Sequence, residues 1–136
     1  MSEGFLHGAL VSKIAALIKS ELGEDLDVIL VDLPGSRPSD KPPKIGSYFP
    51  DVWAQSRRRI YVGEAKTALD LETTHTQSQL RSFLKHISLS PSGSSLIIAV
   101  PGFAAARARS LMRIIGSDVN GAQSMWRVIS VEALST

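Results

Sequence analysis

The sequence predicts a mixed α/β fold in one domain spanning residues 1–136, on three observations. Apolar residues recur at helical spacing in three segments, short β-branched runs stand between them, and the elements follow the order α-β-β-β-α-β-α-β. Hydrophobic residues make up 43% of the chain, enough at this length to build a core without disulfides or structural metal.

Each element follows from its residues. Leu6, Leu10, Ile14, Leu17 and Ile18 lie on one stripe of a helix over 5–22, with Gly23 as its stop. Val28–Val31 is a β-branched run between acidic residues and predicts a strand. The stretch from Pro34 to Ser47 is rich in proline, glycine and serine and predicts an irregular loop, long enough to hint at function. Residues 50–55 and 59–67 form two strands around a turn at Ser56-Arg57-Arg58, an antiparallel hairpin.

Leu80, Phe83, Leu84 and Ile87 mark the buried face of a second helix, with a capping box from either Thr74 and Gln77 or Thr76 and Gln79. Residues 94–100 form a buried strand. Pro101-Gly102 opens a third helix bearing Ala104, Ala108, Leu111, Met112 and Ile115, closed by Gly116, and residues 127–131 form a final strand. The hairpin supplies antiparallel pairing, and the helical crossovers supply parallel pairing.

Composition narrows the chemistry. The chain has no cysteine, which removes thiol catalysis, Cys-zinc sites and iron–sulfur clusters, so any metal must sit on oxygen or imidazole. No apolar stretch approaches the roughly 20 residues that span a bilayer, and Glu3 stands where a secretory leader would carry basic residues. The expectation is a cytoplasmic protein without a membrane partner. The net charge of +2 is small, but Arg57-Arg58-Arg59, Lys41 with Lys44, and Arg107, Arg109 and Arg113 form local basic groups.

The chemistry-bearing pattern is Pro50-Asp51 followed by Glu64-Ala65-Lys66. A turn centred between Arg57 and Arg58 sets Asp51 opposite Glu64, Trp53 opposite Val62 and Gln55 opposite Ile60, and paired residues share a face with Cβ atoms about 4.5–5.5 Å apart. Lys66 projects to that face as well. Two adjacent carboxylates repel, and a hard divalent cation relieves the repulsion. Mg²⁺ or Mn²⁺ suits Asp51, Glu64 and the Ala65 carbonyl, one or two ions being accommodated with water. Lys66 then stands beside the ion, where it can orient a water or offset charge on a phosphoryl group.

These residues resemble the PD-(D/E)xK motif of the restriction-endonuclease-like nuclease superfamily, and the order of elements over roughly residues 5–100 is similar to that superfamily's α-β-β-β-α-β core, here extended by a C-terminal helix and strand. The resemblance implies a mixed sheet flanked by helices, Mg²⁺-dependent hydrolysis of DNA phosphodiester bonds, metal binding by Asp51 and Glu64, and activation of the attacking water by Lys66. It also implies products with 5′-phosphate and 3′-hydroxyl ends. Gln79, followed by Phe83, resembles the QxxxY element of several branches with Phe in the tyrosine position, and Gln77 is the neighbouring candidate. Members often add an acid or histidine from the first helix; His7 and Glu21 stand equally for that role, ahead of Glu3.

Arg57, Arg58, Arg59 and Lys44 are candidates for phosphate contacts, although arginines at a hairpin tip also serve simply to keep an exposed turn solvated. Asp51→Asn and Glu64→Gln are expected to abolish cleavage while leaving the fold intact or slightly more stable. The alternative is a catalytically silent nucleic-acid-binding or scaffolding module of the same fold. A homodimer, for which the third helix and last strand are the candidate surface, or a partner protein would supply specificity to so small a domain.

Overall fold

A computed structural model describes residues 3–132, with Glu3 in backbone only, so that candidate side chain lies outside the described residues. The order is α1 (Glu3–Leu22), β1 (Val28–Val31), β2 (Val52–Ser56), β3 (Arg59–Ala65), α2 (Thr74–Ser88), β4 (Ser95–Pro101), α3 (Ala105–Asp118) and β5 (Trp126–Val131). The strands form one mixed sheet in the order β1-β2-β3-β4-β5. β1, β2 and β3 are antiparallel neighbours, and β4 and β5 join parallel.

The two faces of the sheet are covered differently. Leu10, Val11, Ile14 and Ile18 of α1 pack on Val52, Ala54, Ile97 and Ala99. On the other face Leu80, Phe83, Leu84 and Ile87 of α2, with Met112 and Ile115 of α3, pack on Val62, Leu96, Ile98 and Val100. β4 is thus buried on both faces, which explains its unbroken apolar run. On β3 the even residues face α2 and the odd ones face α1. Gly63 belongs to the α1 face, and a Cβ there would stand 2.6 Å from Ile14 Cγ2, so glycine is what lets the helix approach.

The hairpin register is the expected one, with Trp53 opposite Val62 and Gln55 opposite Ile60. Arg57 and Arg58 alone make the turn, with φ of 50° and 77°, the two positive values of a type I′ turn. Three expectations are corrected. α2 is capped by Thr73, whose hydroxyl accepts from the Thr76 N–H, so neither capping box forms. Pro101 ends β4 instead of opening α3, a 3-10 turn over Gly102–Ala104 intervening. Gly116 lies inside α3 instead of closing it, in a place where a Cβ would meet the Trp126 indole at 3.3 Å. Among the described residues no helix is long and apolar enough to cross a membrane.

Candidate active site

The C-terminal end of β3 and the start of β2 bring the motif together. The β2–β3 ladder ends at Val52 and Gly63, one residue short of Asp51. The Asp51 N–H is shared between the Gly63 carbonyl at 3.1 Å and Glu64 Oε1 at 3.0 Å. Asp51 Oδ2 accepts from the Ala65 N–H at 2.9 Å. An extended residue sends its N–H and C=O to the same side of the strand, so the Ala65 carbonyl leaves β3 toward Asp51 as well.

Lys66 follows β3 on the α2 side. Its Nζ lies 3.1 Å from Glu64 Oε2 and donates to Gln79 Oε1 of α2 at 2.5 Å. Gln79 therefore joins Lys66 directly and is not a capping amide, while the Gln77 N–H donates to the Thr73 carbonyl at 3.2 Å in the first turn of α2. From the far side of the sheet, His7 of α1 sets its Nε2 3.3 Å from Asp51 Oδ1.

Burial differs sharply across this cluster. The Glu64 side chain is 3% exposed, that of Lys66 10% and that of Asp51 14%, whereas His7 is 46% exposed. Burial, and then the neighbouring Asp51 charge, push the Glu64 carboxyl well above the ordinary carboxylate range, with Lys66 pulling the other way. The hydrogen bond to Asp51 raises His7 above its ordinary value, against the effect of its own partial burial. Asp70 sits near enough to favour His7⁺, and its carboxylate accepts from the Thr67 N–H at 2.9 Å while its own N–H donates to the Thr67 hydroxyl. That reciprocal pair shapes the turn leaving β3.

The donor set suits a hard divalent cation. Two carboxylates crowd one another, one of them held toward its neutral form, and both have oxygen lone pairs beyond those used inside the protein. Among the described residues no three Asp, Glu or His side chains group so as to hold an ion, so a cation here would take two carboxylates, with backbone oxygen and water completing its shell. Mg²⁺ commonly binds in that way.

The remaining candidates are dispersed. Glu21 lies fourteen residues along α1 from His7, about 21 Å away, and holds Arg127 at 2.5 and 2.8 Å beside an open cleft of about 680 Å³ at the other end of the sheet. Of the two first-helix candidates, His7 alone reaches Asp51. The arginines at the hairpin tip lie five strand positions from Asp51, roughly 17 Å. Arg57 is occupied there, bonding Asp25 Oδ1 at 2.9 Å while its N–H bonds Asp27. The tip therefore stands apart from the carboxylates, at the other end of the hairpin. Lys44 does lie at the site end, its Nζ 5.8 Å from the centre of the Phe49 ring. Phe49 itself was not among the candidates, since a single phenylalanine in a proline-rich stretch reads from sequence as an ordinary loop residue.

No protein-family model, curated protein or solved structure matches the chain.

Proposed function

We propose that the chain is a Mg²⁺-dependent nuclease of the PD-(D/E)xK type that hydrolyses phosphodiester bonds in DNA. The observation that supports this reading is the convergence of Asp51, Glu64, Lys66 and Gln79, with Lys66 Nζ 3.1 Å from Glu64 and the Glu64 carboxylate 3.0 Å from the Asp51 amide. Asp51 and Glu64 would hold the cation. Bound there, the cation would neutralise charge on the phosphate oxygens and acidify a water.

The protein's own groups then have separate tasks. Glu64 and Gln79 hold the Lys66 ammonium from two sides, so it can donate to a phosphate oxygen or orient the attacking water with little loss of side-chain freedom. His7 and the Ala65 N–H fix the Asp51 carboxylate. In the proposed reaction water attacks phosphorus, the bond to the 3′ oxygen breaks, and that oxygen leaves with a proton as a hydroxyl while the phosphate stays on the 5′ side.

The test is incubation of linear, branched and single-stranded DNA with the protein in Mg²⁺ or Mn²⁺, and in EDTA. Cleavage that needs the cation and disappears in Asp51→Asn and Lys66→Met supports the reading. Normal cutting by either variant overturns it, and binding without cutting by wild type favours the silent DNA-binding module.

A further inference from the structure

The loop before β2 carries a feature that the catalytic cluster does not use. Phe49, Pro50, Pro38 and Pro42 wall a slot of about 390 Å³, with Asp32 and Lys41 on its border. The volume falls within the range of small-molecule sites, about 300–1,000 Å³. Phe49 is 62% exposed, and Pro50 joins the slot directly to Asp51. Lys44 stands over the Phe49 ring, and Lys41 lies 3.9 Å from Asp32 Oδ1.

An exposed aromatic ring that lines a slot with three prolines offers a stacking surface for a flat, apolar, π-rich group. Ammonium groups beside it suit an anionic backbone, and the Asp32 carboxylate can accept from an amino group. A nucleotide with its base unpaired has all three features. A duplex offers phosphates and groove edges but keeps its base faces stacked inside. The segments at this end of the sheet also expose Leu69 just after β3, Phe103 just after β4, and Phe5 two residues from His7, so three of the chain's four phenylalanines are exposed.

We infer that the slot formed by Phe49, Pro38, Pro42 and Pro50 holds an unpaired base next to the phosphate at Asp51 and Glu64, so that DNA with a single-stranded segment is the substrate class of the site. The inference rests on the nuclease reading for cutting, but the binding it describes is measurable without it.

The experiment is fluorescence anisotropy of a fluorescein-labelled 12-nucleotide single strand and of its 12-base-pair duplex, in EDTA and again in Ca²⁺. Wild type should bind the single strand at least about tenfold more tightly. Phe49→Ala should weaken single-strand binding roughly five- to hundredfold, the usual span for losing one stacked base, while duplex binding moves less than about twofold. Phe49→Trp should keep the preference, and circular dichroism should show both variants folded. Equal binding of strand and duplex by wild type, or equal losses on both in Phe49→Ala, overturns the inference. Mg²⁺-dependent cutting by wild type with no strand preference would sink this inference while leaving the nuclease reading standing; strand-selective binding without cutting would do the reverse.

Discussion

Removing either motif carboxylate should leave the fold at least as stable as wild type at pH 7 without a cation, because each charge burdens the other. Lys66 is nearly buried and its carboxylate partner is Glu64, at 3.1 Å. With an effective dielectric constant near 20, that separation corresponds to a gross attraction of about 5 kcal/mol. Burial of Glu64 and the charge on Asp51 outweigh this attraction, since the Glu64 carboxyl holds its proton more tightly than an ordinary glutamate does. Glu64→Gln is a neutral stand-in that leaves the ammonium with Gln79 and an amide oxygen, so it should gain about 1 kcal/mol, the lower end of the roughly 1–4 kcal/mol seen when buried charged pairs are replaced. Asp51→Asn likewise removes the charge that repels Glu64 and keeps an oxygen to accept from the Ala65 N–H, so it should be at least as stable as wild type. Urea unfolding at pH 7 in EDTA is the assay, and with slopes of about 1–3 kcal/mol/M the Glu64→Gln midpoint should rise by about 0.3–1 M. A midpoint for either variant about 0.5 M or more below that of wild type would refute the reasoning.

Three further outcomes are expected. Without divalent cations, stability should decline from pH 6 to pH 8.5. Glu64 binds its proton more tightly folded than unfolded, so folding weakens as pH rises above the ordinary glutamate value of 4.5; His7 likewise contributes fully below 6.5 and loses its contribution as pH passes its raised folded value. Chemical denaturation across that range checks this, and a rising midpoint would contradict it. Arg58→Gly should stabilise the hairpin by about 0.5–1 kcal/mol by relieving a positive φ of 77°, and should leave cleavage unchanged because the tip is remote; thermal melts and a cleavage assay read the two effects. Gly63→Ala should destabilise by about 1–3 kcal/mol, since its methyl would overlap Ile14, and a melting temperature equal to wild type would show that α1 yields more easily than its packing implies.

The fold was readable where one physical signal dominated. The stripe of α1, the apolar run of β4 and the two-residue turn each allow few alternatives, and the turn fixed the register that brings Asp51 beside Glu64. Helix ends were less readable because several residues can cap: Thr73, Thr74 and Thr76 all qualify by type, and the chain path out of β3 selects Thr73. The first-helix partner was undetermined for a similar reason. His7 and Glu21 both suit a metal site chemically, and only the crossing of α1 over the sheet brings one to Asp51 and the other to Arg127. Consecutive arginines likewise carry no address, since a hairpin has two ends and the carboxylates lie at the open one.

Soaking crystals of the protein with Mn²⁺ and recording the anomalous signal tests the central claim most directly. The account predicts a peak within about 2.0–2.4 Å of oxygens from both Asp51 and Glu64, with Lys66 beside the ion and not bound to it. Saturating Mn²⁺ that leaves this pair bare, or that is bound elsewhere by other residues, would contradict it.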